Sequence, residues 1–415
     1  MNVHETEKIT ALFKASGYEK VAAADLFDGA AKADVIVFNT CCVRNSAEQK
    51  IISHIGETKK LDRKIICVVG CLSQKDANVL KKKFPHLSVI LGTHNTERII
   101  DGINSYKKTG KTFIEVLDER DNQDDASMIT DDLLEHLDKN TAYINITYGC
   151  ENFCSYCIVP FVRGRLVCRD SQIIERELLA ILNRALHLFW VAQDTVYHDR
   201  GNNKIQGKNF LHQNEKNETV IYLLGQNVNS YVCPKTGINF PTLLEKLCII
   251  ARETNNNNSH RQKGQNFKIN FLSSHPKDFS LQLMETIAKN PEIDRNIHLP
   301  MQSGCDRILG EMKRGYTAAE YVGKVEQLRN LVPDVHITTD IICGFPTETD
   351  AEFLQTAEIL KKLKFNAAFI FPYSRRSGTL ADKMEGQVDQ KTKKTRTEEL
   401  INLQRKISNA TDTNV

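Results

Sequence analysis

The sequence predicts an α/β protein built from two successive units, and two runs of alternating strand and helix patterns indicate this. Residues 1 to about 105 alternate short apolar runs with amphipathic segments, as expected for a parallel sheet covered by helices. From Ala142 onward, six further strand-like runs recur with helical segments between them. Six strand–helix units are too few for a closed eight-stranded barrel. We therefore predict an N-terminal αβα domain followed by an open, partial (β/α)6 barrel.

The N-terminal unit begins with a predicted helix over 4–15, in which Ile9, Leu12 and Phe13 recur at helical spacing. Further helices are predicted over 46–60 and 76–84, and strands over 34–38, 64–69 and 88–91. Because the chain opens directly on a helix, we expect this sheet to lack the strand that would come before it.

Cys41 and Cys71 each follow directly after one of these apolar strands. In parallel sheets, functional sites form beyond the carboxyl ends of the strands, so both side chains should emerge at the same edge. The alternative is simple packing, because a free cysteine behaves as a small hydrophobic residue.

The predicted barrel strands cover 143–148, 220–224, 267–272, 297–300, 336–342 and 367–371. After the first of them, Cys150, Cys154 and Cys157 lie within eight residues in the stretch GCENFCSYC. Thiolates this close together suit a metal centre, either tetrahedral zinc or an iron–sulfur cluster. A structural zinc site normally takes four ligands, whereas three thiolates on a four-iron cluster would leave one iron open. Buried structural cysteines at a strand end are the remaining alternative.

The composition is that of an ordinary globular chain, with 41% apolar and 26% charged residues among 415. The sequence contains no apolar run of 18 residues and no signal-peptide pattern at its start, so we expect no membrane span. Twelve cysteines in such a chain indicate a reducing compartment, the cytoplasm, and ligation rather than disulfides. The net charge of +3 gives no global field for nucleic acid, so any RNA contact must come from local patches.

The predicted domains are 1–108 and 141–376, joined by an acidic linker over 109–140 and followed by a helical extension over 377–415. Polar stretches over about 188–218 and 254–265 predict disordered insert loops.

Two groups of basic residues stand out, but the remaining cysteines and histidines show no ligand spacing. Arg163, Arg165 and Arg169 follow the cysteine triplet and could meet phosphates. A second group is expected on the solvated face of a helix: Lys391, Lys393, Lys394 and Arg396. We expect structural roles for His275, His298 and His336.

The cysteine triplet, with an aromatic residue before its last member, resembles the signature of the radical S-adenosylmethionine superfamily. The surrounding YGCENFCSYCIVPFVRGR is similar to the methylthiotransferase branch of that superfamily. Further segments agree with that branch in their order along the chain: FNTCCVRNSAEQK, VVGCLSQ, SSHPKDFS, HLPMQSGCDRILGEMKRGYT, TTDIICGFPTET and FIFPYSRRSGT. The stretch LLGQNVNSY most resembles the tRNA-2-methylthio-N6-dimethylallyladenosine synthases.

The resemblance implies that Cys150, Cys154 and Cys157 hold a [4Fe-4S] cluster whose open iron binds S-adenosylmethionine. It implies that Cys41 and Cys71 hold an auxiliary [4Fe-4S] cluster, the sulfur source. The third family ligand lies in a segment that would precede Met1, and Cys42 is a poor substitute because adjacent side chains on an extended backbone point apart. Tyr156 and Gly344 are candidate contacts to S-adenosylmethionine.

The activity that the resemblance implies is methylthiolation of N6-isopentenyladenosine beside the anticodon of tRNA, by a cytoplasmic monomer that takes electrons from a flavodoxin or ferredoxin. The family usually continues into a small RNA-binding β-barrel, and we expect this chain to be shortened at both ends. Three alternatives remain open: the sister activity on threonylcarbamoyladenosine, cofactor cleavage without sulfur insertion, and a non-catalytic RNA-binding protein.

Overall fold

The computed structural model describes residues 2–21, 29–30, 32–43, 45–61, 63–118, 140–194, 218–257 and 266–412. Its N-terminal sheet is parallel, with the strands in chain order: β1 (Val35–Thr40), β2 (Ile65–Gly70), β3 (Val89–Leu91) and β4 (Phe113–Glu115). The first three strands confirm the sequence prediction. The fourth lies in the stretch predicted as an acidic linker, because three residues are too short to give a recognisable pattern.

Alternation of side chains along these strands divides the N-terminal core into two layers. On one face, Ile66, Val68 and Ile90 share a core with residues of two helices, α2 (Asn45–Glu57) and α3 (Cys71–Lys83). On the other face, Cys67, Val69 and Val89 share a core with residues of α1 (Asn2–Ala15) and α4 (Ile99–Thr109). The predicted αβα arrangement is therefore present, and Cys67 packs as a core residue.

Among the described residues of the second unit, six parallel strands form two sheets of three. The first sheet holds β5 (Thr141–Asn145), β8 (Glu218–Leu224) and β9 (Asn266–Phe271), and the second holds β10 (Asn296–His298), β11 (His336–Cys343) and β12 (Ala367–Pro372). A parallel bridge between Ile269 and Ile293 joins the sheets between β9 and β10. The strands thus follow one another in chain order, as predicted for an open barrel.

Helices connect these strands and cover them. Two of the helices begin with a capping box, Thr317 with Glu320 and Thr349 with Glu352, in which side chains satisfy the free amides of the first turn. The helices of this unit are α5 (Val159–Arg163), α6 (Ser171–Asp194), α7 (Phe240–Asn257), α8 (Leu281–Lys289), α9 (Asp306–Glu311), α10 (Ala318–Leu331), α11 (Asp350–Leu363), α12 (Leu380–Lys383) and α13 (Gln390–Asp412).

Two predicted boundaries differ from the structure. The first barrel strand ends at Asn145 rather than 148, and residues Thr147–Tyr148 (β6) instead pair antiparallel with Val167–Cys168 (β7). This small ribbon closes the cysteine-containing loop at its base. The predicted inserts fall largely on 195–217 and 258–265, which lie outside the described residues. Among the helices that the structure describes, none is long and apolar enough to cross a membrane.

Lys391 and Lys394 are exposed on α13, as expected, but the other two members of the second basic group are not, which corrects that part of the sequence interpretation. Lys393 and Arg396 are buried, with 2% and 6% of their surface exposed. Arg396 donates to Glu348 at 2.8 Å and to Asp350 at 2.7 Å, while the Lys393 ammonium lies 5.0 Å from the centre of the Tyr373 ring. These residues dock α13 on the barrel.

Candidate metal centre

The cysteine loop is held by backbone hydrogen bonds on both sides. Gly149 turns the chain with a φ of +70°, and the Cys150 amide donates to the Gly164 carbonyl at 3.2 Å. Within the loop, the Cys157 amide donates to the Cys154 carbonyl at 2.9 Å. Ser155 anchors its centre, because its hydroxyl donates to the Glu311 carbonyl at 2.7 Å and its amide to Met312 at 3.0 Å. The loop is therefore positioned by the chain around it.

Cys150, Cys154 and Cys157 are free, partly buried thiols on this one loop. Burial raises the pKa of Cys150 and raises that of Cys157 to about 12, and the neighbouring thiols of the triplet act in the same direction. Across the described residues, no three histidine, cysteine or carboxylate side chains converge closely enough to hold one metal ion. A four-iron cluster is bound differently, since each thiolate takes a separate iron. The donor set, three soft thiols on a pre-formed loop, fits such a cluster.

Two polar side chains, Arg314 and His275, contact Cys154, and no sequence pattern predicts either contact. The Arg314 Nη1 atom donates to the Cys154 Sγ atom at 3.4 Å, and the His275 Nε2 atom lies 3.9 Å from it. Burial and the nearby cations Arg314, Lys277 and Lys324 lower the pKa of His275 to about 2, so its ring is neutral. His275 is hydrogen-bonded, as we expected, because its Nδ1 atom accepts the Lys277 amide at 3.2 Å, and it also lies beside Cys154. The quoted segments SSHPKDFS and MKRGYT contain both residues, but their distance from Cys154 along the chain hides the contact.

The candidate cofactor contacts lie in different surroundings. The Tyr156 hydroxyl accepts a hydrogen bond from Arg314 at 3.4 Å, and its ring packs on a buried cluster that contains Phe345 and Tyr373. Gly344 follows β11 with a φ of +70°, and its amide donates to the Glu348 carboxylate at 2.7 Å. A Cβ atom at Gly344 would overlap the Lys393 side chain. Close packing against Lys393 therefore explains a glycine at position 344 without any contact to the cofactor.

A polar cavity of about 270 Å³ opens beside Cys150. The amide of Asn227 and the hydroxyl of Ser230 both donate to the Asp278 carboxylate, at 2.7 and 3.0 Å. Lys277, which also lines the cavity, donates to Asn152 at 3.3 Å. The cavity thus offers both an ammonium group and a carboxylate next to the cysteine loop, and the segments LLGQNVNSY and SSHPKDFS supply half of its lining.

The N-terminal cysteines lie together at the predicted edge. Because Thr40 and Gly70 are paired residues at the ends of β1 and β2, Cys41 and Cys71 follow side by side. Cys42 is nevertheless the one buried against Cys71, in a cluster with Ile158 and Val162. A hydrogen bond from the Cys42 thiol and the adjacent Arg163 guanidinium lower the pKa of Cys71, while the same thiol pair and burial raise that of Cys42. Cys42 therefore packs against Cys71, although adjacent side chains on an extended backbone were expected to point apart.

The basic residues after the triplet have separate environments. The Arg163 Nε atom donates to the Cys71 Sγ atom at 3.2 Å, which links α5 to the first residue of α3 in the N-terminal unit. Arg169 is buried, with 8% of its surface exposed, and donates to Asn145 at 2.6 Å and to Glu177 at 2.7 Å. Of the three arginines proposed to meet phosphates, Arg165 remains exposed, and Arg169 is a structural residue.

Comparison with known proteins supports the assignment from sequence. Residues 144–360 match the profile described as "Radical SAM superfamily", and residues 1–92 match "Uncharacterized protein family UPF0004". A tRNA-2-methylthio-N(6)-dimethylallyladenosine synthase of Fusobacterium nucleatum is 35% identical, over 98% of this chain and 82% of the relative. A protein of the same name from Clostridium novyi is 37% identical, over 97% of this chain and 78% of the relative.

Solved structures agree at the level of the fold. The cobalamin-dependent S-adenosylmethionine radical enzyme OxsB superposes with a TM-score of 0.55 at 12% identity, over 91% of this chain and 51% of OxsB. The resemblance inferred from the cysteine spacing and the accompanying segments is confirmed. The chain belongs to the family of tRNA-2-methylthio-N(6)-dimethylallyladenosine synthases, within the radical S-adenosylmethionine superfamily.

Proposed function

We propose that this chain is a tRNA methylthiotransferase that converts N6-isopentenyladenosine beside the anticodon into its 2-methylthio derivative. The observation that carries the proposal is a loop of three free thiols beyond the first strand of an open parallel barrel. It is supported by relatives that bear this name and match nearly the whole chain at 35 and 37% identity. The partners would be the anticodon loop of tRNA and a one-electron donor such as a flavodoxin or ferredoxin, in the cytoplasm.

In this proposal, Cys150, Cys154 and Cys157 hold the [4Fe-4S] cluster that serves S-adenosylmethionine. When bound, these cofactors supply radical chemistry that the protein's own side chains cannot perform. Ser155 and Gly149 fix the loop, and Tyr156 supports it from the barrel side. The open side of the barrel admits an RNA loop whose target base has left its stack, as bases of single-stranded loops do.

Cys41 and Cys71 would hold the auxiliary cluster, the sulfur source. Support comes from their adjacent positions at the ends of β1 and β2 and from the Arg163 cation, which favours the thiolate form of Cys71. Arg163 belongs to the helix that follows the triplet loop. The two sites would therefore face each other across α5. In this proposal, the N-terminal unit extends through β4 and the barrel begins at β5.

The test is replacement of Cys154 by Ala in protein reconstituted with iron and sulfide without oxygen. We expect the variant to lose S-adenosylmethionine cleavage, measured as 5′-deoxyadenosine, and to contain about four fewer irons per chain. Cys168→Ala is the matched control, because Cys168 is a partly buried thiol outside the triplet loop, and its Sγ atom accepts the Val232 amide at 3.5 Å. Cleavage retained by Cys154→Ala would contradict the ligand assignment.

A second measurement separates the substrate alternatives. Nucleosides of tRNA from a strain that lacks this gene should lose the 2-methylthio group on isopentenyladenosine and regain it from the introduced gene. Loss from threonylcarbamoyladenosine instead would establish the sister activity. Cleavage of S-adenosylmethionine without either 2-methylthio product would indicate an enzyme that does not insert sulfur. If neither cleavage nor a 2-methylthio product is found, the result would favour a non-catalytic RNA-binding protein.

A further inference from the structure

Arg314 is a buried cation whose hydrogen-bond partners are neutral groups. It has 4% of its surface exposed. The Nε atom donates to the Tyr316 hydroxyl at 3.1 Å, the Nη2 atom to the Pro300 carbonyl at 3.1 Å, and the Nη1 atom to the Tyr156 hydroxyl at 3.4 Å. In the part of the chain that the structure describes, no carboxylate lies within ion-pairing distance of this guanidinium.

Such an arrangement is costly unless a negative charge is supplied. Moving a charged group from water into the interior of a protein costs roughly several kcal/mol unless an opposite charge is placed beside it. Arg396 illustrates the usual solution, because it is equally buried but bonded to Glu348 and Asp350. The side chain at Arg314 that can carry a negative charge by binding iron is Cys154, whose Sγ atom lies 3.4 Å from Nη1.

We propose that Arg314 is a positioning residue that supplies the buried positive charge opposite the cluster on Cys154 and thereby raises the reduction potential of that cluster. The proposal rests on the proposed function, since it requires the cluster to be held there. The reduction potential of an iron–sulfur cluster depends on net charge and on hydrogen bonds to its sulfur atoms. One electron from an external donor adds one negative charge to the cluster. A fixed cation at this distance in a low-dielectric site favours that reduced state.

The experiment compares Arg314→Met with Arg314→Lys in the full chain after anaerobic reconstitution. Each protein is titrated with dithionite and mediator dyes, and the reduced cluster is followed by electron paramagnetic resonance. A Cys41→Ala/Cys71→Ala background removes the auxiliary site, so that a single cluster titrates. Tyr316→Phe serves as a control, because it removes one acceptor of Arg314 and keeps the charge.

We expect the midpoint potential of Arg314→Met to shift to more negative values, while Arg314→Lys and Tyr316→Phe stay near the parent protein. Cluster assembly in the Lys variant but not in the Met variant would also support a need for positive charge. An unchanged potential in Arg314→Met at equal iron content would overturn the proposal. Loss of the cluster in both variants would assign Arg314 to folding and would overturn it as well. Absence of iron in the parent protein would instead contradict the proposed function.

Discussion

Gly149 decides where the cysteine loop begins. Its φ of +70° lies in the left-handed region, and a Cβ atom there would overlap the carbonyl oxygens of Gly164 and Arg165. Gly149→Ala therefore adds steric overlap to backbone strain, and we expect it to lower the free energy of unfolding by about 3 kcal/mol. The variant should also bind less iron, because the added methyl group disrupts the hydrogen bond from the Cys150 amide to the Gly164 carbonyl. Urea unfolding and iron content per chain measure the two effects.

Gly237→Ala is the matched control for this change. Gly237 has a φ of +72°, but a Cβ atom there would meet no other atom within 4 Å. We expect it to cost about 1 kcal/mol, the left-handed strain alone, and to leave iron content unchanged. Equal losses of stability in the two variants would show that the overlap at Gly149 is relieved by small movements.

At the scale of elements, α13 is held on the barrel by a buried ion pair. Glu348 and Arg396 are both nearly inaccessible, and their side chains lie 2.8 Å apart. Removing one member of such a pair leaves an uncompensated charge, so we expect Arg396→Met to destabilise the fold by about 3 kcal/mol near neutral pH. Arg375→Met is the control, because Arg375 pairs with Asp382 at the surface and such pairs contribute about 1 kcal/mol or less.

The stability of the Arg396→Met variant should also depend on pH. Burial raises the pKa of Glu348, and Arg396 opposes that rise. Without Arg396 the pKa of the folded state rises further above the unfolded value of about 4.3. The folded variant then binds a proton that the unfolded chain has released, so its defect is small at acidic pH and grows as the pH rises through the folded pKa. Urea midpoints at pH 5 and pH 8 test this, and Arg396→Met/Glu348→Gln should remove the difference.

The order of the elements could be predicted because apolar runs and their spacing are local. The positions of Cys150, Cys154 and Cys157 followed from their spacing, whereas Arg314 is 160 residues away from Cys154 and no periodic pattern connects them. Arg396 lies 48 residues from Glu348, so its polar sequence neighbourhood indicated a solvated face. Buried charges are decided by distant partners, and these are the features that a reading of local patterns misses.

At the scale of the whole molecule, Arg376 connects the barrel to the N-terminal cysteines. It follows β12, is 9% exposed, and its Nη2 atom donates to the Val43 carbonyl at 2.7 Å across 333 residues of sequence. Its Nη1 atom also lies 3.7 Å from the Glu48 carboxylate. Because Val43 follows Cys41 and Cys42, this contact holds the segment that carries the proposed auxiliary ligands.

Arg376→Met should therefore loosen that segment without unfolding the sheet behind it. A hydrogen bond from a charged group contributes roughly 1.5–3 kcal/mol, so we expect backbone amides over 41–43 to exchange with solvent about tenfold faster or more. Hydrogen exchange followed by mass spectrometry measures this, with Val68 in β2 as the internal reference. The neighbouring Arg375→Met, whose partner is Asp382, should leave exchange in both regions unchanged. Equal exchange over 41–43 in the Arg376 variant and the parent protein would mean that the two units hold this segment by apolar packing at Ile158 and Val162 alone.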